Sequence, residues 1–225
     1  MTSRYLQTAF VGLACVVLAS CGSEGDRSGE ALSILKGALR PSKTVAQDPQ
    51  QIAASAQAAL AATDAPLVLV SISGRNVTSV LQQIETNGAY RTYGTADRRS
   101  ITFKRGMMTA SRGLGEDVMS ADIDPVLDLV TSRKAGQAQR VQRYLDGENI
   151  ITALEATCDI TPGAEGEVNL ASGARATQSV TETCRAVTTE FQNTYMVDRA
   201  TGQILQSRQW HSPLNGYLVV QTLRQ

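Results

Sequence analysis

The spacing of apolar positions changes twice along the chain. Residues 9–19 (AFVGLACVVLA) form an unbroken apolar stretch behind Arg4. That length fits the apolar region of an export signal, about 7–15 residues, and falls short of the roughly 20 that a membrane-spanning helix needs. From residue 28 the spacing becomes helical. Leu32, Leu35 and Leu39 share one face of a helix predicted over residues 28–40, capped by Ser28 and stopped by Pro41. Ile52, Ala56, Ala59 and Leu60 form the stripe of a second helix over 49–62, with Asp48 as N-cap and Pro49 at the first helical position.

After Pro66 the period shortens to that of strands. Residues 67–72 (LVLVSI) read as a strand buried on both faces. Residues 90–93 are a short strand. Residues 101–104 and 107–110 flank Arg105-Gly106 as a hairpin. Residues 113–130, with glycines, acids and Pro125, read as a long connection holding one helical turn. Strands follow over 141–146 and 149–160, separated by Asp146-Gly147, and 161–167 (TPGAEGE) reads as a loop. Residues 178–197 are polar and β-branched, as half-exposed strands are. Phe191, Tyr195 and Val197 alternate with Gln192, Thr194 and Met196 before a turn at 198–202, where Asp198 can accept backbone N–H groups and Gly202 can take a positive φ. Strands at 204–210 and 217–224 complete the chain. Helices followed by many antiparallel strands predict a mainly β domain, an antiparallel barrel-like or sandwich fold with two N-terminal helices packed on it.

The residues around the cut site give the chain its compartment. Leu18-Ala19-Ser20-Cys21 is a lipobox: a branched apolar residue, two small residues and the cysteine whose thiol takes the lipid. The organisation predicted is a lipoprotein signal peptide over 1–20, a polar tether over 21–27, and a single β domain over 28–225. Cys21 holds the protein on a membrane. Gly22 and Ser23 lack the acidic residue that retains lipoproteins in the inner membrane of enteric bacteria, so the outer membrane, facing the periplasm, is the expected location. Of the four cysteines, Cys15 leaves with the signal, which leaves Cys158 and Cys184 as a pair in an oxidising compartment. A disulfide is the natural reading; two buried free thiols are the alternative.

Lys plus Arg equals Asp plus Glu, at 21 each, and no long basic run occurs, so nucleic acid is not an expected partner. Aromatics make up 4% of the chain, too few for a long stacking surface along a sugar polymer. His211 is the one histidine, so a Ser–His or Cys–His site would have to use it; beside Trp210 and before Ser212-Pro213, it reads as an ordinary histidine at a strand end. One histidine and two oxidisable cysteines make no zinc set. Glu116-Asp117 and Asp122-Ile123-Asp124 could serve acid–base chemistry on sugars, but acidic loop residues are usually solvated. Asp97-Arg98-Arg99 reads as a charged turn, and Asn76-Val77-Thr78 as a sequon without meaning in a bacterial lipoprotein. No phosphate-binding glycine loop occurs. No catalytic set and no cofactor are predicted.

The run from Phe191 to Gln209, FQNTYMVDRATGQILQSRQ, resembles the late hairpin of the GfcB/YjbF family of capsule and exopolysaccharide lipoproteins. The family run has the form W-Q-N-T-F/Y-W-V-D-x-A-T-G-x-(I/V)-x-x-S-R-Q. Cys184 ahead of it, the lipobox, the early helices and the Lys104-Arg105-Gly106 hairpin stand in the order found in relatives. Met196 departs from the pattern, where an aromatic is common. The resemblance implies a barrel-like fold of the YmcC type and a non-enzymatic, accessory role in making or exporting a surface polysaccharide. It implies as partners an outer-membrane β-barrel protein of the YjbH/GfcD kind, a periplasmic protein of the GfcC/YjbG kind, and the polysaccharide itself. It carries over no catalytic residues. Two other readings stay open: a carrier whose cavity holds a lipid or lipid-linked sugar, and a polysaccharide-modifying enzyme.

Overall fold

A computed structural model describes residues 48–145 and 150–225. The predicted helix over 28–40, the tether and Cys21 lie outside the described residues. Helix α1 (Pro49–Ala62) starts where the sequence places it: the Asp48 carboxylate accepts the Gln50 N–H at 2.9 Å and Pro49 opens the first turn. Its stripe is the half-buried side, with Ala56 buried. At its far end the Arg224 guanidinium donates to the carbonyls of Leu60 and Thr63, two groups that the helix itself leaves unbonded. Among the described residues no helix is long and apolar enough to cross a membrane.

Twelve antiparallel strands follow: β1 (Leu67–Ile72), β2 (Val77–Asn87), β3 (Tyr90–Gly94), β4 (Ser100–Lys104), β5 (Met107–Arg112), β6 (Val118–Asp122), β7 (Gly136–Leu145), β8 (Ile151–Leu170), β9 (Gly173–Ala186), β10 (Glu190–Asp198), β11 (Ile204–Ser212) and β12 (Gly216–Arg224). A second helix, α2 (Asp124–Ser132), stands between β6 and β7. The sheet order is β5-β4-β3-β2-β1-β12-β11-β10-β9-β8-β7-β6. Consecutive strands β5 and β6 are therefore the two edges, and they meet. Val118 N–H donates to Ser111 Oγ at 3.0 Å, and Arg112 donates to the carbonyls of Val118 and Met119 at 3.0 and 3.4 Å. Side chains close this seam where a backbone ladder is missing, which leaves a nearly closed barrel with few free edges.

Among the described residues the core has two large apolar clusters beside a small third one of Val168, Leu170 and Leu205. One gathers Val126, Leu127 and Val130 of α2 with Cys158, Val180, Tyr195 and Val197; the other gathers Val68, Val70, Phe103, Leu218 and Val220. Met107 belongs to the first and Met108 to the second, so β5 runs between them. Helix α2 packs against β7, β8 and β10 and shares the first cluster with them.

Three expectations are corrected. Residues 113–130 are not one connection: β6 and α2 lie within them or begin there. Pro125 opens α2, and Val126, Leu127 and Val130 give it an inward face too short to stand out as a period. Arg133 ends it in the left-handed conformation, with its N–H on Val130 O. Residues 161–167 are not a loop either, because β8 runs through them with a register shift between Pro162 and Glu165. The carbonyls freed by that bulge are taken by β9 side chains: Gln178 Nε2 donates to Gly163 O at 3.1 Å and Ser179 Oγ to Ala164 O at 3.0 Å. Finally, of the two described helices only α1 is N-terminal; α2 lies mid-chain.

Candidate functional site

His211 sits near the end of β11, as expected, but it is not a solvated loop residue. It is fully buried together with Ser111 of β5 and Asn215 of the β11–β12 turn. His211 Nε2 lies 3.0 Å from Ser111 Oγ, and Asn215 Nδ2 lies 3.3 Å from His211 Nδ1. Asp117 accepts from Ser111 Oγ at 2.8 Å and from the backbone N–H groups of Gly113 and Leu114. A buried serine and histidine beside a half-buried acid invite comparison with a nucleophile set, and the proton count decides the matter. Asn215 Oδ1 accepts from Arg75 Nε at 2.6 Å, and its amide nitrogen also donates to Gly115 O at 2.6 Å. The amide must therefore donate toward Nδ1, which places the imidazole proton on Nε2. Ser111 then receives protons from His211 and Val118 and gives its own to Asp117. A general base would have to accept the serine proton, so the polarity is reversed. Burial pushes the His211 pKa down to about 4, against the pull of Asp117 and Glu116 and with the push of Arg75. The cluster joins β5, the turn before β6, and β11, and so it locks the barrel seam.

The other acids divide by position. Glu116 accepts the Leu214 N–H at 2.8 Å. Asp122 and Asp124 are exposed and pair separately with Arg143 and Lys104, each at 2.7 Å, so they do not converge. Asp97 and Arg99 form a surface turn with Thr95, and Asn76 takes a left-handed conformation after a short 3-10 turn.

A second buried cluster lies inside β7, β9 and β10. The Glu182 carboxylate receives Arg140 Nη1 at 3.2 Å on both oxygens, Asn193 Nδ2 at 2.8 Å and the Tyr195 hydroxyl at 2.5 Å. Burial opposes charge on Arg140, but Glu182 and Tyr195 outweigh it and raise its pKa. Burial and the Glu182 charge raise the Tyr195 hydroxyl well above its ordinary range. Cys158 and Cys184 face each other across β8 and β9 and are joined, S–S 2.04 Å. Among the described residues, Cys158, Glu182 and Cys184 are a set close enough to hold a metal ion, but the disulfide occupies both sulfurs.

The turn at 198–202 docks onto the other hairpin singled out in the sequence. Asp198 Oδ1 accepts from Ala200 and Thr201 N–H, and Oδ2 meets Arg175 at 2.5 Å. Burial alone would raise the Asp198 pKa; the two N–H groups and Arg175 overcome it and hold it low. Arg105 donates to Thr201 O at 2.9 Å and to Thr131 Oγ1, while Ile204 N–H donates to Arg105 O. Gln209 closes the arrangement, donating to Gly106 O and accepting from Met108 N–H. Its amide thus stands in for a neighbouring strand along the edge of β5.

Beside these turns the barrel opens. A cleft of about 580 Å³ is lined by Gln83, Arg91, Tyr93, Arg105, Gln203 and Thr222 among others, and no acidic side chain lines it. A smaller space beneath it, about 40 Å³, is walled by Val68, Phe103, Leu205 and Val220. Arg91 is held by the β2–β3 turn, its Nη1 donating to Gly88 O at 2.7 Å and Tyr90 O at 3.1 Å.

Residues 6–223 match the family described as group 4 capsule polysaccharide lipoprotein GfcB, YjbF. The chain belongs to this family. The solved structures include the hypothetical lipoprotein YmcC of Escherichia coli K12, which is 15% identical with a TM-score of 0.64, covering 72% of this chain and 88% of YmcC. That likeness establishes the fold. A putative exported protein with a YmcC-like fold from Bacteroides fragilis is 10% identical with a TM-score of 0.29, covering 71% of this chain and 93% of its own. No curated protein matches the chain.

The GfcB/YjbF-like run can now be read physically. Asn193, Tyr195, Asp198, Ser207 and Gln209 are buried: Asn193 and Tyr195 donate to Glu182 of β9, Asp198 holds its own turn and meets Arg175 of β9, and Gln209 bonds β5 and Ser207 of its own strand. The run is a structural joint. Sequence reasoning missed the Ser111–His211 and Arg140–Glu182 pairs because their members lie 100 and 42 residues apart. It also missed the mouth residues Arg91 and Tyr93, although their period-two spacing on a short strand placed them on one face.

Proposed function

We propose that this GfcB/YjbF-family chain is an outer-membrane lipoprotein, anchored through lipid on Cys21, that assists production or export of capsule or exopolysaccharide by contact and not by catalysis. The observation that carries the second half is the complete burial of Ser111, His211 and Asn215, whose side-chain contacts are spent on one another and on the seam. The family match supports the first half. Docking partners on this reading are an outer-membrane β-barrel protein and a periplasmic protein of the same export system, with the polysaccharide as a further ligand. A lipid carrier is disfavoured. The apolar-walled space beneath the mouth is only about 40 Å³, far below what an acyl chain fills, and the larger cleft above it carries Gln83, Arg91, Arg105, Gln203 and Thr222 on its walls.

The test is genetic. Deleting the gene should lower surface or secreted polymer and leave sugar-nucleotide pools unchanged, since those arise in the cytoplasm. Cys21→Ser should abolish lipid labelling and reproduce the polymer loss, whereas His211→Ala in a folded protein should not. Wild-type polymer in the deletion strain would reject the pathway, and polymer loss with His211→Ala would move the protein among enzymes.

A further inference from the structure

We propose that the open barrel mouth binds a carboxylate-bearing sugar residue of the polysaccharide. This deepens the polysaccharide-handling role proposed above and rests on it. Arg91 and Arg105 flank the cleft, and neither has a carboxylate partner among the described residues. Both are nonetheless fixed. Arg91 spends Nη1 on two carbonyls, which leaves its Nε–Nη2 edge unbonded. Arg105 spends one proton of each terminal nitrogen on Thr131 Oγ1 and Thr201 O. A guanidinium has five donors, so three remain on each, and the free Nε–Nη2 edge of Arg91 is a fork that matches a carboxylate bidentately. Three backbone carbonyls and the Thr131 hydroxyl hold the two guanidinium groups in place, so little side-chain freedom is lost on binding.

The remaining lining fits a sugar. Gln83, Gln203 and Thr222 offer donors and acceptors for hydroxyl groups, and the half-buried Tyr93 ring offers one apolar face. The cleft volume lies in the ~300–1,000 Å³ range of small-ligand sites and suits one or two sugar units. The apolar floor under the cleft is too small for a lipid tail. An acidic residue within a polymer satisfies charge, shape and size together. A neutral sugar would leave both guanidinium edges without a countercharge.

The experiment uses the full-length lipidated chain in detergent and fragments of the strain's own secreted polymer. Three probes are compared by calorimetry: native fragments, fragments whose carboxylates have been chemically reduced to alcohols, and neutral dextran oligomers. Native fragments should bind saturably and more weakly as salt rises, and the reduced and neutral probes should bind at least about 10-fold more weakly. Arg91→Gln should cost about 10-fold, with Arg91→Lys recovering only part, since it keeps the charge without the fork. Gln203→Glu removes no observed side-chain bond and places a negative charge in the mouth; it should weaken binding while the protein melts as wild type. Equal binding of native and reduced fragments, or no binding of native fragments, overturns the proposal. So does undiminished binding by Gln203→Glu. If gene deletion still lowers polymer in those cases, the export role stands and only the mouth assignment falls. If deletion leaves polymer normal, the export role falls first.

Discussion

Replacing Glu182 with Leu tests whether the buried ionic cluster in β7, β9 and β10 holds the barrel together. Glu182 is completely buried and is the sole acceptor found for Arg140 Nη1 apart from the Met107 sulfur at 3.6 Å. Its loss leaves a guanidinium with 1% side-chain exposure and no countercharge. Breaking one side of a buried pair costs about 3–5 kcal/mol. A kcal/mol moves the melting point of a domain of this size by roughly 2–4 °C, so Glu182→Leu should lower it by roughly 6–20 °C. Arg140→Met should cost less. An orphaned carboxyl can bind a proton and become neutral, and it keeps Asn193 and Tyr195 as donors, whereas a guanidinium cannot discharge. The combined Arg140→Met/Glu182→Leu/Tyr195→Phe variant removes both charges and the stranded hydroxyl but leaves Asn193 Nδ2 without its acceptor, and it should recover part of the loss. Urea unfolding can be followed by Trp210, the single tryptophan, whose ring stacks on Phe191 at 4.8 Å between centroids. The reasoning is refuted if Glu182→Leu costs under about 1 kcal/mol, or less than Arg140→Met.

Three further outcomes follow from the same contacts. His211 has its folded pKa lowered from 6.5 to about 4, so the unfolded chain binds the extra proton first as pH falls; stability should drop from pH 6.5 toward 4 by about 3 kcal/mol, and the difference between wild type and His211→Gln across that window should be flat if burial of the neutral ring is not the cause. Gly106 has φ +90 and a Cβ there would stand 2.5 Å from Ile204 O, whereas Gly88 has φ +56 and open space; Gly106→Ala should melt well below Gly88→Ala by about 1–3 kcal/mol, and equal melting of the two would show that the turn does not dock as described. Replacing Cys158 and Cys184 with Ala should remove roughly 3–4 kcal/mol for a separation of 26 residues, measured by urea midpoint, and reductant should then have no further effect on the variant.

Legibility followed the side chains that face inward. In β10 the inward residues Phe191, Tyr195 and Val197 are apolar, and the alternation named the strand correctly. The same face of β7 carries Arg140 and Gln142, and that of β9 carries Glu182, so the apolar period is broken there although these side chains are just as buried. The strand β2 left no mark for a related reason: only Leu81 of its eleven residues is buried. Local chemistry was readable wherever it was self-contained. The Asp48 cap and the Asp198–Gly202 turn satisfy their own backbone groups, and Gly106 supplies the positive φ of its hairpin turn. Pro162 and Gly163 misled because their turn chemistry is overridden from outside, by Gln178 and Ser179 on the neighbouring strand. The mouth was illegible as a site because its arginines come from β3 and the β4–β5 turn and meet only when the barrel curls.

The buried joint and the open mouth also divide the labour between fold and function. The run from Phe191 to Gln209 satisfies polar groups on β9 and β5, so a change at Asn193, Tyr195 or Gln209 strands a buried donor or acceptor at about 1–3 kcal/mol. That penalty falls on the barrel whatever the barrel binds. Gln83, Arg91 and Thr222 lie outside the run and line the mouth, where a substitution exposes no orphaned group on a neighbouring strand. Such positions can change with the ligand at little cost to folding. Arg105 and Gln203 belong to both regions, since the β4–β5 turn that Arg105 pins against Thr201 is also the wall of the cleft. The joint therefore sets the spacing between Arg105 and the rest of the mouth. Loosening the joint should disturb binding even in a protein that still folds, and altering Gln83 or Thr222 should disturb binding alone.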